Sequence, residues 1–524
     1  MPKASLRDKT PLPDMTYIPQ NIHHIHLTAI CGTGMGSLAG LLVKRGFKVT
    51  GSDQNTYPPM STQLENLGIK LFTGYKPENL NPKPDLVIVG NAIPKTNPEA
   101  EEILRQNIPY TSMAAALSHF FITGKESIVI SGTHGKTTTT ALLSHLLVEL
   151  SAGPSYLIGG ILQEDLPNHA WNEKGKYFVV EGDEYDTAFF DKGPKFWHYQ
   201  PHHTIITSLE FDHADIYRDL DHLCSSFEKL IEKINPKGFL LYCNHYPRLC
   251  ELVKKSNVKT ESYGLKEGNW SASNFQSEQP FDDASTGSAH RLRVSDSGHG
   301  KPRRTIQPYS TFTVLYRGQR EGLLHSPLMG DHNIQNVLAA YALLRHLGFG
   351  HQKISEALQS FKGVKRRQEI RGTINNIIVM DDFAHHPTAV RETIAAVKKR
   401  FPKHTLWAIF EPRSNSSKRN IFQKDYGECF TGADQVIMAD VFMPEKVKDG
   451  HVLDVDTVVK DVNSQGIKAQ HISGVENIVT HLALHTKPDS IVLIMSNGGF
   501  GGIHEKLLKA LLQSDPSRAS GCPN

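Results

Sequence analysis

The string Gly132-Thr133-His134-Gly135-Lys136-Thr137-Thr138 is built for phosphate chemistry. A glycine turn that opens a helix presents backbone N–H groups to an anion. Lys136 adds a point charge for β- and γ-phosphates, and the Thr137 hydroxyl suits a Mg²⁺ ion. The loop is shorter than the usual G-x-x-x-x-G-K-[ST], because Ile130 stands where the first glycine would be. Two acid-rich strings follow. "EGDE" contains Glu181, and "EFDH" contains Glu210, Asp212 and His213.

These groups need elements that hold them. Residues 128–130 form a β-branched apolar run, expected as a buried strand, and residues 137–147 read as the following helix. "KYFVVEGDEYD" and "HHTIITSLEFDHADIY" read as further strands ending in acids, and open α/β sheets place ligands at such ends. The phosphate loop, Glu181 and His213 are therefore expected on one rim. Nearer the start, "HHIHLTAICGTGMGSLAGLLVKRGFKVTGSD" reads as strand, glycine turn, helix and strand, with Asp53 ending the second strand. This is Rossmann-like spacing, but the third glycine of G-x-G-x-x-G is Ser37, so the turn could serve a dinucleotide or a nucleotide-sugar diphosphate. "PDLVIVGNAI" adds a strand ending near Asn91. Beyond "FKGVKRRQEIRG", strands are expected in "IIVMDDFAHHP", "TLWAIFEPR", "DQVIMADVF" and "SIVLIMSNGG", with helices between them. The polar stretch 267–310 is expected to be an irregular, mobile insertion, residues 1–21 a short mobile arm and 513–524 a disordered tail.

A chain of 524 residues has room for about three domains of ~150 residues. Its net charge of +3 is spread over interspersed acids and bases, without the basic stripe that nucleic acid requires. No apolar run approaches the ~20 residues of a membrane span, and the start lacks a secretory h-region. The six cysteines are dispersed and none forms C-x-x-C, which suits reduced thiols in a cytoplasmic protein. Adjacent histidine pairs at 23/24, 202/203 and 385/386 are not expected to ligate a single metal in tandem.

Taken in order, "ICGTGMG", "GTHGKTTT", "EGDE", "EFDH", "GDHNIQN", "KRR" and "DDFAHHP" resemble the Mur ligase family over about residues 23–504. The resemblance implies an α/β chain of three domains: a Rossmann-like UDP-sugar domain (21–117), a P-loop ATPase domain (118–362) and a Rossmann-like C-terminal domain (363–515). It implies ATP and Mg²⁺, and an amide bond made to a UDP-N-acetylmuramic acid precursor through an acyl phosphate. "NTYPPMSTQLENLGI", the Phe189-Phe190-Asp191-Lys192 segment and "FEPRSNSSKR" resemble the branch that attaches the tripeptide L-Ala-γ-D-Glu-meso-diaminopimelate to UDP-N-acetylmuramate in murein recycling. The alternative within the family is the UDP-N-acetylmuramate–L-alanine ligase. A dinucleotide oxidoreductase would leave "GTHGKTTT" and "GDHNIQN" without a role, and a non-catalytic nucleotide-binding module would not need Glu181 and His213 beside a complete phosphate loop.

The roles implied are these. Gly132, Thr133, His134, Gly135, Lys136, Thr137 and Thr138 hold ATP phosphates. Asn333 and Asn336, one helical turn apart, face adenine with His332 nearby, and a helix cap at Asp331 can coexist with that. Arg367, and less clearly Arg366, reach the phosphates, and Asp382 takes the ATP ribose. Thr137, Glu181 and His213 bind metal, with Lys136, His213 and Arg367 as the catalytic set. Gly32, Thr33, Gly34, Met35, Asp53 and Asn91 take the UDP-sugar, and His385 and Arg413 face the peptide. Sister ligases carry a carbamoylated lysine some fifteen residues past the motif histidine. Here Phe227 and Glu228 stand at that distance, so none is expected. A monomer is favoured, with no nucleic-acid or membrane partner.

Overall fold

The computed structural model describes residues 17–56, 60–276, 310–447 and 450–513. Residues 1–16 of the expected arm, 277–309 of the expected insertion and 514–524 of the expected tail lie outside them.

Three large sheets and one two-stranded hairpin carry the described residues. The first has five parallel strands in the order Lys70–Thr73, Lys48–Asp53, His24–Thr28, Leu86–Val89, Tyr110–Ser112. His24–Thr28 lies at the point where the winding reverses, so the loops after it and after Leu86–Val89 flank one crevice. Ser37 sits inside the helix Thr33–Lys44 and is buried. Its hydroxyl donates to the Thr33 carbonyl at 2.8 Å, which satisfies a polar group where a dinucleotide fingerprint would have glycine.

The central sheet has ten strands, with Glu126–Ser131 between Tyr177–Gly182 and His203–Ile206. These three strands run parallel and are apolar at their centres, as strands covered on both faces must be. The helix after the phosphate loop, Lys136–Glu149, packs against the helix Asp331–His346. The expected irregular stretch 267–310 is corrected at both ends. Trp270–Gln276 and Ser310–Tyr316 are antiparallel neighbours in this sheet. Trp270 is buried and its indole N–H donates to Glu261 at 2.7 Å, an anchor that the surrounding polar composition concealed.

The third sheet has the order Glu369–Ile374, Ile377–Asp382, Ser490–Met495, Thr405–Phe410, Gln435–Met438, Lys468–His471. The four expected strands are present. The two edge strands were missed because their residues are largely polar or half-exposed. Only Glu369–Ile374 runs antiparallel. Among the described residues, no helix is long and apolar enough to cross a membrane, and Cys31, Cys224, Cys243, Cys250 and Cys429 are free thiols.

Candidate active site

The phosphate loop follows the buried strand Glu126–Ser131. Gly132 and Gly135 have φ of 131° and 81°, which side-chain-bearing residues rarely adopt. A Cβ at 132 would lie 2.4 Å from Thr207 Oγ1, and one at 135 would lie 2.6 Å from Asn336 Oδ1. The loop is clamped from the opposite side. His134 N donates to Ser208 Oγ at 2.7 Å, Thr133 Oγ1 donates to the Glu210 carbonyl at 3.0 Å, and His134 Nε2 lies 2.9 Å from Glu210 Oε2.

Lys136 Nζ reaches the Gly132 carbonyl at 2.6 Å and Glu184 Oε1 and Oε2 at 3.0 and 2.8 Å. Glu184 Oε1 is also 3.3 Å from His213 Nε2. One buried carboxylate thus faces two cations. Burial opposes ionisation of Glu184, yet Lys136 and His213 hold its pKa below the ordinary range. Burial likewise works against the His213 imidazolium, but Glu184 and Asp212 prevail and raise its pKa to about 9. The backbone of His213 is left-handed, with φ 54°. Amides of Ile216 and Tyr217 donate to its carbonyl at 2.8 and 2.9 Å, and its own amide donates to Asp212 Oδ1 at 2.7 Å. Such a conformation costs about 1–3 kcal/mol and needs surroundings that over-determine it.

Thr137 Oγ1 donates to Glu181 Oε2 at 3.0 Å, and Gly159 N donates to Oε1 at 2.6 Å. Burial, with Asp183 nearby, pushes the Glu181 pKa up. A buried acid beside a hydroxyl, at the mouth of a phosphate loop and destabilised as an anion, fits a divalent cation.

From the C-terminal domain, Arg367 faces the same space. It lies between two left-handed residues, Arg366 (φ 59°) and Gln368 (φ 52°), and has no carboxylate within ion-pair distance among the described residues. Arg366 turns the other way, to the carbonyls of Ser496 and Gly498 at 2.5 and 2.7 Å. Asp382 accepts from the amides of Gln368 and Ala384 at 2.8 and 2.7 Å. His385 Nδ1 lies 3.0 Å from the Phe383 carbonyl. The Arg413 guanidinium lies 3.7 Å from the centre of the Phe442 ring and 3.5 Å from Glu411 Oε1.

A cleft of ≈ 660 Å³ is lined by Thr133–Thr138, Glu181, His213, His332, Asn333, Asn336, Arg367, Asp382, His385 and Arg413. Gly132 lies behind it, and so does Arg366. Asn336 is engaged by the protein. Its Oδ1 accepts from Thr139 Oγ1 at 3.2 Å and its amide donates to Asn333 Oδ1 at 3.1 Å, so it braces the phosphate-loop helix. Asn333 Nδ2 donates to the Met329 carbonyl at 2.8 Å. The expected cap at Asp331 is corrected. Gly330 occupies the N-cap, and Asp331 Oδ1 accepts from Lys399 Nζ at 3.0 Å.

Gly32, Thr33, Gly34, Met35, Asp53 and Asn91 do not line this cleft. They gather at the carboxyl edge of the first sheet. Asp53 Oδ2 accepts from the Cys31 amide at 2.9 Å and so orders the glycine turn. The Met35 side chain is buried in the core, which leaves only its backbone for a ligand. The hairpin of Asp186–Ala188 and Asp191–Pro194 joins the two places. It leaves the Glu181–Glu184 corner, and Phe190 meets Tyr110 of the first domain edge-on at 4.9 Å.

Sequence reasoning missed three groups. Glu184 was visible only as the last letter of "EGDE", with no sign that both Lys136 and His213 would meet it. Lys195 pairs with Asp183 at 2.9 Å beneath the cleft. Lys418 lines the cleft, is 6% exposed, and has no carboxylate partner within ion-pair distance among the described residues. Burial, with Lys446 nearby, lowers its pKa.

A P-loop domain set between two Rossmann-like domains, sharing a cleft with the second, defines a three-domain nucleotide-dependent ligase. The chain belongs to the Mur ligase family. Residues 24–123 match its family model "Mur ligase family, catalytic domain", residues 130–344 "Mur ligase middle domain", and residues 366–498 "Mur ligase, glutamate ligase domain". The chain is similar to the UDP-N-acetylmuramate–L-alanyl-γ-D-glutamyl-meso-2,6-diaminoheptanedioate ligase of Escherichia coli, with 37% identity over 489 residues, covering 93% of this chain and 98% of that one. A UDP-N-acetylmuramate–L-alanine ligase of Clostridium tetani is 31% identical over 477 residues, covering 91% and 96%. A solved murein peptide ligase of Psychrobacter arcticus superposes with a TM-score of 0.67 at 34% identity, covering 93% of this chain and 98% of that one.

Proposed function

We propose that this enzyme uses ATP to join L-Ala-γ-D-Glu-meso-diaminopimelate to the lactyl carboxylate of UDP-N-acetylmuramate, as a cytoplasmic step of peptidoglycan recycling. The observation that carries the reading is the single cleft in which phosphate-loop and C-terminal-domain groups meet. Lys136 and Arg367 supply positive charge where the γ-phosphate would pass to the carboxylate. Asp382 is suited to the ATP ribose, and Asn333 and Asn336, with His332 nearby, to the base. Thr137 and Glu181 would hold Mg²⁺ on the phosphate side, and His213 would help to place a second Mg²⁺ near the sugar carboxylate, where such ions screen and position the two anions. The crevice at Gly32–Met35, Asp53 and Asn91 would hold the UDP moiety, with the lactyl arm following the 186–194 hairpin into the cleft. The amine of the peptide then attacks the acyl phosphate, and inorganic phosphate leaves.

Phosphate release from ATP and UDP-N-acetylmuramate, with either tripeptide or L-alanine added, tests the reading. Tripeptide should stimulate release strongly and L-alanine weakly. A preference for L-alanine would assign the chain to the alanine-adding branch instead.

The peptide carries several carboxylates, whereas L-alanine has one. Lys418 is a buried cation without a carboxylate partner, so it is free to pair with one of them. Lys418→Met should raise the KM for tripeptide about tenfold or more and leave the KM for ATP within twofold. Arg413→Ala should also raise the peptide KM, but with a lower melting temperature, because its guanidinium stacks on Phe442. Equal effects of Lys418→Met on both KM values would remove Lys418 from the peptide site.

Asp53→Ala should weaken UDP-N-acetylmuramate binding about tenfold to a hundredfold, the effect of losing a charge-assisted bond of ~1.5–3 kcal/mol. ATP affinity should stay unchanged, because the two crevices are separate. Titration calorimetry with each ligand decides the point, and normal UDP-sugar affinity in the variant would exclude Asp53.

A further inference from the structure

The opposite end of the central sheet holds a second cluster of chemistry-bearing groups. Glu126 opens the strand Glu126–Ser131, and His203 opens the neighbouring strand His203–Ile206, with His202 just before it. The phosphate loop leaves the far end of Glu126–Ser131, so about 15–20 Å of strand separates the two places. Adjacent residues of a regular strand point to opposite faces, so tandem histidines within one would not share a ligand. Here His202 precedes the strand. Its amide is fixed by the Ser127 hydroxyl at 3.0 Å and the Ser127 carbonyl at 3.1 Å, and its ring packs edge-on to His203 at 4.7 Å. One ligand atom from each of Glu126, His202 and His203 therefore falls within 4.8 Å of the other two.

His203 is 4% exposed, and neither ring nitrogen has a hydrogen-bond partner. Glu126 Oε2 stops 3.6 Å from its Nε2. A buried imidazole with both nitrogens unsatisfied costs about 1–3 kcal/mol unless something completes it. Burial and the neighbouring His202 and His346 hold the ring neutral, with a pKa lowered to about 4, and a neutral ring is the ligating form. His346, at the end of its helix, stacks on Phe239 at 3.7 Å and closes the side of the cluster. Glu126 Oε1 is held by Lys176 at 3.1 Å, which leaves Oε2 for a ligand.

A second histidine–carboxylate cluster among the described residues, His134–Glu210–His386, differs in this respect. His134 Nε2 meets Glu210 at 2.9 Å. His386 Nδ1 accepts from the Thr388 amide at 3.3 Å, and its Nε2 lies 3.2 Å from the Phe211 carbonyl. That cluster is a completed brace between domains.

We propose that Glu126, His202 and His203 form a binding site for a late first-row divalent cation of the Zn²⁺ class at the base of the central sheet. Two imidazoles and a carboxylate are a zinc-type donor set, whereas Mg²⁺ prefers oxygen throughout. The ligand atoms need to close by about 1 Å to reach the ~2.0–2.2 Å bonds of such a site, and the half-exposed Glu126 and His202 can move that far. The fourth position is open to water. The ion would tie strand Glu126–Ser131 to the segment entering His203–Ile206, remote from the ligation chemistry.

The test uses full-length, tag-free protein stripped with chelator and then given Zn²⁺ in excess Mg²⁺. One equivalent should be retained through gel filtration, with a Kd of about 1 μM or below. The melting temperature should rise, and Co²⁺ substitution should give visible d–d absorption. His202→Ala and Glu126→Gln should each weaken retention at least about tenfold while leaving ligation intact, and His203→Gln should abolish it. If His203→Gln fails to fold, the other two variants decide. His213→Ala should retain the Zn²⁺ equivalent. Failure to retain Zn²⁺, retention that survives His202→Ala and Glu126→Gln, or loss in His213→Ala would each overturn the site.

Discussion

Lys136→Ala should lower the ligation rate by roughly 10³-fold or more while leaving UDP-N-acetylmuramate affinity within twofold. The lysine belongs to the central domain and the crevice proposed for UDP to the first, so charge is lost only where the γ-phosphate would sit. A structural effect accompanies the chemical one. Lys136 and Glu184 are both largely buried, at 12% and 2% side-chain exposure. Removing one member of a buried pair costs about 3–5 kcal/mol, of which His213, 3.3 Å from Glu184, offsets part. Lys136→Ala should therefore melt earlier as well. Adding Glu184→Gln removes the stranded carboxylate, so the double variant should recover much of the melting temperature and none of the activity. Recovery of activity in the double variant would mean that Lys136 acts by holding Glu184 and not by meeting phosphate. A comparable loss of UDP-sugar affinity in Lys136→Ala would break the division between the two crevices.

What the sequence disclosed follows from how local each signal is. The phosphate loop is local. A buried β-branched strand, a turn that only glycine can make at 132 and 135, and a helix opening with Lys136 lie within about twenty consecutive residues. Strand-end acids were legible for the same reason, because an apolar run that stops at Glu181 already states which end of the sheet it reaches. Partners across the fold were not legible. Glu184 and His213 are separated by 29 positions, and only the adjacency of both their strands to Glu126–Ser131 brings them together. Helical spacing aligns Asn336 with Asn333 on one cleft wall, but spacing cannot show that Thr139 of another helix also reaches the Asn336 oxygen. Lys418 was hidden in "SNSSKR", a string whose composition suggests surface, whereas the fold sets it in the cleft wall with Phe442, Met443 and Lys446. Trp270 was concealed in the same way, as one apolar residue in a polar run. The residues of the first-domain crevice fall between these cases. The turn and Asp53 were readable from spacing, whereas the burial of the Met35 side chain depends on packing that spacing does not encode.

Glu184→Gln should lower the ligation rate by roughly a hundredfold or more, and it should do so by changing two other groups. In the wild type a single carboxylate fixes Lys136 at 2.8 Å and His213 at 3.3 Å. An amide of the same shape removes the charge and keeps the volume. Lys136 then retains only the Gly132 and Thr133 carbonyls, at 2.6 and 3.5 Å, and is drawn back from the cleft mouth. His213 loses the strongest group that raises its pKa, so burial, opposed only by Asp212, should bring it down from about 9 toward or below 6.5. At pH 7.5 the ring would pass from mostly protonated to mostly neutral, which NMR titration of its imidazole protons reads directly. The sign for stability follows from the same shift. A folded-state pKa raised above the unfolded value contributes stability that is fully present below about 6.5 and is lost as pH rises through about 9. Wild-type enzyme free of ligand should therefore lose melting temperature between pH 7 and pH 9.5, and Glu184→Gln should lose less over that interval. An unchanged His213 titration, with activity within threefold of wild type, would show that Glu184 only fills space between the phosphate loop and the 213 turn.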